Sequence, residues 1–534
     1  MISDQREFLD AMEEKIGVAY RASLCALRYR RNQLSIFNRL PDELLLMILL
    51  LSKSEDIHLK MFQYIRLTWV CRRWRMLVLG HAEFWTNINL TFLKAEVAEE
   101  IVARSKGAKL SVVMVCRPHH GSKDDEVEHH RLLKEVIGPQ FGRVESLDLE
   151  LCADSWEQTI PIFQLPAPAL RQFQLLLDPE YDATAYDGTN YQNFTLPADL
   201  FQATAQLRIL RLYGAAPSWV SIRSMVHGLR RLKLIVSDSS PVLNILQACP
   251  DLELLYLQVE PVPYSLPLES ASAAPPSITM PRLSNVTLND ASFLCQIATP
   301  LLKRLSLTIW VDAPEMLVDL VARRLDLTAW RMVVIGISNV PPHHDYGEAP
   351  VVFQGWHGGE VPVADVGEYD SEDSDEDDEY ANLALDLKFY QVDFEALHKI
   401  WPALIAQATN VSTLSLQSFH TPEEVELVKH TVRHANKTQD LFIGVQEEGP
   451  PLLPVFGDPS VCPELRFLDY EGIFDREELG KELVSLVNAR RNGPANIEKI
   501  QLVGCASTAE GWAEELKRSG VDVQFLTNVA RSGG

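Results

Sequence analysis

A short apolar frame recurs through most of this chain, and it limits the available folds more than any other feature. In the template Pro-x-Leu-x-x-φ-x-Leu, with φ apolar, five segments keep the proline at one offset. They begin at Pro168, Pro250, Pro281, Pro300 and Pro463 and carry Leu170/Phe173/Leu175, Leu252/Leu255/Leu257, Leu283/Val286/Leu288, Leu302/Leu305/Leu307 and Leu465/Leu468/Tyr470. The frame recurs without proline at Val144/Leu147/Leu149, Leu207/Leu210/Leu212, Leu229/Leu232/Leu234, Val411/Leu414/Leu416 and Ile497/Ile500/Leu502, with fainter copies at Leu327/Trp330/Met332 and Thr438/Leu441/Ile443. Apolar triplets arise by chance in a chain that is 46% hydrophobic, but five with proline at the same offset do not.

Neighbouring copies are mostly 19 to 37 residues apart. Each reads as one short strand with a return segment, often helical, as at 422–437. A single copy cannot bury its apolar face, whereas stacked copies share a continuous core. The pattern resembles the leucine-rich repeat. The resemblance implies an α/β chain whose residues 141–510 form an irregular solenoid, followed by a tail at 511–534. The Asn or Cys that such repeats carry three positions beyond the last leucine is met only by Cys152 and Cys505, so a regular horseshoe is not expected. The array is interrupted at about 341–385. There, Asp365 to Glu379 holds ten acidic and no basic residues, a self-repelling run that makes 341–385 read as a disordered acidic insert, with Ser374 ahead of Asp375-Glu376-Asp377 as a site for an acid-directed kinase. Residues between the two last apolar positions of each frame face away from the core. Among them Arg211, Lys233 and Tyr256, flanked by Arg208, Arg230 and Arg231, form a candidate target-binding patch.

The N-terminal part is different. Residues 4–34 read as one helix, with Phe8, Met12, Ile16, Ala19, Leu24, Leu27 and Leu34 recurring at helical spacing; it is expected to pack on the next segment of the chain or to form a weak coiled coil. Residues 36–90 then form a compact helical unit. Pro41 suits a first helical turn, with Asp42 and Glu43 at its positive end. Leu44, Leu45, Met47, Ile48 and Leu51 make that helix apolar nearly all round, so it must be covered on more than one side. A second helix is expected around 57–64. A third, over 66–80, carries Val70, Trp74 and Leu77. Leu40-Pro41-Asp42-Glu43-Leu44, Val70-Cys71-Arg72-Arg73-Trp74-Arg75 and the following Phe84-Trp85 resemble the F-box, in the arrangement common in fungal F-box proteins. Pro41 and Trp74 stand further apart than in the compact motif. The resemblance implies that Leu40, Pro41, Leu44, Ile48, Val70 and Trp74 dock a Skp-family adaptor and, through it, a cullin scaffold. Residues 91–140 read as a connecting segment.

Charge and motifs narrow the function. With 73 acidic against 49 basic residues the formal net charge is −24, which argues against nucleic acid or anionic membrane as a partner. The eight cysteines form no close pair, no secretory leader is recognisable, and the apolar run Leu44–Leu51 is far too short to span a bilayer. Free thiols in a cytoplasmic or nuclear setting are expected. Two histidine groups invite a metal reading: His119, His120, His129 and His130 among acidic residues, and His430 with His434 after Glu426. Neither has the HExxH pattern, and no phosphate loop or nucleophile elbow is present. No cofactor and no catalysis are expected. The reading is a substrate-recognition subunit of an SCF-type ubiquitin ligase. The alternatives are an F-box-like interaction scaffold outside a ligase and, remotely, a metal-dependent hydrolase.

Overall fold

The structure is a computed structural model. It describes residues 2–52, 64–116, 123–178, 194–197, 200–201, 204, 206–216, 222–223, 225–236, 242–259, 278–290, 292–310, 316–337, 351–357, 383–390, 394–417, 419, 421–444, 452–471, 476–491, 493–503 and 511–526. The acidic run, Cys505, His119, His120 and all but the last residue of the expected 57–64 helix lie outside the described residues. The chain divides into two compact units, Met1–Leu229 and Arg230–Gly534.

The first unit opens with a helix, Ile2–Gln33. None of its side chains from 5 to 33 is buried, so this helix does not pack on the next segment as one reading expected. Helices Asp42–Leu51 and Arg72–Gly80 come next. The strands are β1 (Asn87–Asn89), β2 (Leu110–Cys116), β3 (Val144–Cys152), β4 (Gln172–Asp178), β5 (Phe194–Thr195), β6 (Ile209–Tyr213) and β7 (Ala215–Ala216). β1, β2, β3, β4 and β6 pair in chain order, all parallel, while β5 and β7 pair apart from them. One apolar row, Ile88, Val112, Leu147, Phe173 and Leu210, runs across the sheet in register, each residue at most 1% exposed. The sheet therefore starts at Asn87, and 91–140 is more than a connection. Strand β2 escaped the template because Leu110, paired with the leading Val144, stands two residues before Val112 and not three, and Met114 takes the place of the final leucine. Phe201 sits edge-on to Phe173 (4.7 Å) and Phe163 (5.6 Å), filling the space behind the strands.

The second unit contains β8 (Arg231–Val236), β9 (Leu254–Val259), β10 (Ile278–Thr279), β11 (Asn285–Leu288), β12 (Ile297–Ala298) and β13 (Arg304–Trp310). Further along the chain are β14 (Met332–Ile337), β15 (Val351–Trp356), β16 (Leu383–Tyr390), β17 (Thr413–Gln417), β18 (Asp440–Gly444), β19 (Phe467–Glu471), β20 (Lys499–Val503) and β21 (Asp522–Leu526). β8, β9, β11 and β13 pair in parallel, and so do β14 and β17 through β21; β10 and β12 form a separate pair. Leu414, Leu441, Leu468 and Ile500 stand side by side in the ladder, all 0% exposed. The carbonyls entering each strand take two N–H donors from the next: Ser412 and Thr413 donate to Arg331, and Gln439 and Asp440 to Ser412. Helices Met316–Arg324, Phe394–Gln407, Pro422–Val432 and Arg476–Arg490 return the chain between strands. Thr421 starts one of them with a reciprocal capping box to Glu424.

Three expectations need correction here. First, the interruption at 341–385 contains strand β15, and the order is β13–β16–β15–β14–β17, with β15 antiparallel to both neighbours. Its sequence, Val351-Val-Phe-Gln-Gly-Trp356, buries Val352 and Trp356 on one face and Phe353 on the other, so no leucine frame marks it. Met332, Val334, Val352, Trp356 and Leu383 form a buried cluster there. Second, the frame proposed at Leu327/Trp330/Met332 is three residues early. Val333 and Ile335 align with Leu414 and Leu416, and buried Trp330 takes the leading position. A Cβ on Gly355 would lie 2.6 Å from the Trp330 ring, so only glycine fits that point of β15. Third, 511–534 is not a plain tail, because it carries the helix Gly511–Arg518 and strand β21.

Candidate protein-docking surfaces

The Asp42–Leu51 helix divides its leucines between two environments. Leu45 and Leu49 are buried at 0% and 2% exposure. Leu44, Met47, Ile48 and Leu51, at spacings of three and four, face outward, with Leu44 at 47% and Leu51 at 76% exposure. Pro41 is exposed and Leu40 half-buried. Arg73 holds this helix in place: its Nε donates to the Asp42 carboxylate at 2.8 Å, and its Nη2 donates to the Leu40 carbonyl. The arginine of the Val-Cys-Arg-Arg-Trp segment thus fixes the Leu-Pro turn.

The expected 66–80 helix begins only at Arg72. Tyr64–Leu67 are helical, Thr68–Val70 form a turn, and Cys71 is extended. Thr68 donates its hydroxyl to the Ile65 carbonyl at 2.6 Å, closing the earlier turn locally. Val70 therefore does not share a helical face with Trp74 and Leu77. It is exposed beside Trp69 (71% exposed), Trp74 is half-buried, and Leu77 with Val78 enters the core. Met76 is also exposed, at 65%. Trp69 and Met76 had no signal in the motif, whereas Met47 and Leu51 were implied by the all-round apolarity of their helix. The Phe84-Trp85 pair anchors the unit: both are buried, Tyr64 packs edge-on to Phe84 at 5.1 Å, and Trp85 Nε1 donates to the Val78 carbonyl at 2.8 Å. Burial pushes the Tyr64 phenol up to about 12.

The basic residues of the second candidate surface are each engaged. Arg208 donates to the Gly228 carbonyl (2.7 Å), and Arg211 donates to Gln174 (3.0 Å), its register partner on β4. Arg230 lies 3.5 Å from Glu253, and Lys233 sits 4.4 Å above the ring of Tyr256, its register partner on β9. Arg231 also has a neighbour. Arg208 and Arg211 belong to the first unit, and Arg230, Arg231, Lys233 and Tyr256 to the second.

The histidines do not converge. His129 reaches the Thr91 carbonyl (Nε2, 3.1 Å) and Cys116 (Nδ1, 3.8 Å), while buried His130 lies 3.3 Å from the Thr159 hydroxyl. Adjacent helical residues point about 100° apart, which sends the rings to different partners. His430 packs edge-on between His398 (5.6 Å) and His434 (6.2 Å). Among the described residues no group of three or more His, Cys, Asp or Glu could hold a metal ion. Burial raises the Cys249 and Cys462 thiols to about 12, which suits packing more than nucleophilic chemistry. No helix among the described residues is long and apolar enough to cross a membrane.

A family model described as F-box-like matches residues 37–91. No curated protein matches the chain. Residues 37–91 are thus an F-box-like domain, and that domain carries the outward apolar stripe of the Asp42–Leu51 helix.

Proposed function

We propose that this protein is the substrate-recognition subunit of an SCF-type ubiquitin ligase. The F-box-like domain docks a Skp-family adaptor and thereby a cullin; the stacked strands, an irregular leucine-rich-repeat-like solenoid, hold a target protein. One observation carries this reading: the family match coincides with Leu44, Met47, Ile48 and Leu51 presented outward on a helix that buries Leu45 and Leu49 on its other side. Burying a leucine side chain contributes about 1.5–3 kcal/mol, so such a stripe favours a protein partner. The protein itself supplies proximity, raising the effective concentration of target near the ubiquitin carrier. It performs no chemistry of its own and works in the cytoplasm, the nucleus or both.

The test is capture of purified adaptor by the full chain. Wild type is expected to retain adaptor and co-capture cullin. Leu40→Ala with Pro41→Ala, and separately Leu44→Asp with Ile48→Asp, are expected to lose both. Retention of the adaptor by both double variants would sink the proposal, and adaptor without cullin favours a scaffold outside a ligase.

A further inference from the structure

The Ile2–Gln33 helix has 32 residues and spans about 48 Å at 1.5 Å per residue. Helices in proteins owe most of their stability to packing of an apolar face, and this one buries no side chain between 5 and 33. Glycine at its middle, Gly17, weakens it by a further ~1 kcal/mol relative to alanine. Yet it presents a stripe of Phe8, Met12, Ile16, Ala19, Ser23 and Leu27, in steps of 4, 4, 3, 4 and 4. Phe8 and Ile16 are each about two-thirds exposed (65% and 64%). Ser23 fits this stripe because its hydroxyl donates to the Ala19 carbonyl at 3.0 Å.

We propose that this helix pairs antiparallel with the same helix of a second copy of the chain. The step pattern reads the same in both directions, so a reversed copy keeps its stripe in contact throughout. The reversal sets Met12 against Ser23 and Ile16 against Ala19, large against small, as close packing requires. A parallel pair would set Ala19 on Ala19 and Ser23 on Ser23, leaving a hollow. Charge selects the same direction. Residues 4–15 hold five acidic and two basic side chains, while 21–31 hold four arginines and no acid. That asymmetry also suits a lone helix dipole, but a lone helix leaves the stripe in water. Antiparallel pairing covers the stripe and brings the acidic half of each copy to the basic half of the other.

The experiment is light scattering on the full-length protein, expected to give twice the chain mass. Ile16→Asp with Leu27→Asp should halve it, without changing unfolding of the remainder. A monomeric wild type overturns the proposal, and so does a dimer that survives this double substitution. Arg28→Glu with Arg31→Glu, which leaves the stripe intact, should weaken the dimer at low salt and matter little at high salt; no effect at low salt overturns the charge argument. Orientation is read by disulfide trapping with Cys25→Ser as background. Gln5→Cys protein should cross-link to Arg30→Cys protein, and cross-linking of Gln5→Cys only to itself overturns the antiparallel arrangement.

Discussion

The F-box-like domain and the β17–β20 sheet use the same apolar residue types with opposite results. In the sheet, Leu414, Leu441, Leu468 and Ile500 each have an identical neighbour position on both sides, and all are fully buried. In the domain, adjacent Leu44 and Leu45 part company, one 47% exposed and the other 0%. Stacking lets each strand supply the cover for the next, so the array closes its own core. A domain of some fifty residues has too little surface elsewhere to cover a helix that is apolar nearly all round. The surplus is therefore available to a partner.

Substitutions can break this contrast. The largest effect is expected at Trp401, which is fully buried against Phe353 (5.9 Å) and Phe389 (6.4 Å). Trp401→Ala should cost about 3–5 kcal/mol in denaturant unfolding while adaptor capture is unchanged. Because the indole Nε1 makes no hydrogen bond, Trp401→Phe should cost clearly less. Next is Arg490, 1% exposed, whose guanidinium donates to the carbonyls of Phe456 (2.6 Å), Cys462 (3.1 Å) and Val461. Arg490→Met strands three buried acceptors and should cost about 3 kcal/mol; lysine, lacking the planar fork, should restore only part of it.

The sharpest comparison is the adjacent pair in the Asp42–Leu51 helix. Leu45→Ala should destabilise the protein by about 2–4 kcal/mol. Leu44→Ala should stay within roughly 0.5 kcal/mol of wild type and weaken adaptor capture. Equal thermal shifts for the two would show that the stripe is packed by the chain itself.

The smallest effect concerns pH. Burial holds His130 and His398 below the ordinary histidine range, with help from the charge of His129 for the first and of His430 for the second. Below about 6.5 the unfolded chain then binds more protons than the folded one. Stability should be complete above that value and decline as pH falls through it. Urea unfolding of a His130→Gln, His398→Gln double variant should show a flatter decline, and an unchanged slope would assign it to other groups.

Much of this is legible in the sequence. The leucine frame placed strands β3, β4, β6, β8, β9, β11, β13, β17, β19 and β20, because a strand buried on one face needs apolar residues at alternate positions whatever surrounds it. The fainter copy at Thr438/Leu441/Ile443 also aligned with its neighbours. The Leu-Pro and Arg-rich segments marked the F-box-like domain for the same reason, since a helix start and an apolar face are local properties. What escaped depends on partners distant in sequence. β15 is a strand because β14 and β16 leave room for an antiparallel insert, and Gly355 is required there by a ring 25 residues upstream.

The sequence by itself determined which residues must leave water and with what period, and therefore that parallel strands stack and that one helix carries more apolar surface than a small domain can hide. Only the tertiary structure decided which leucine of an adjacent pair points out, where the 66–80 helix breaks, and which neighbours take up the charges of Arg208, Arg211, Arg230 and Lys233. Periodicity is set by the backbone's own geometry, whereas exposure and pairing depend on atoms that folding brings from elsewhere in the chain.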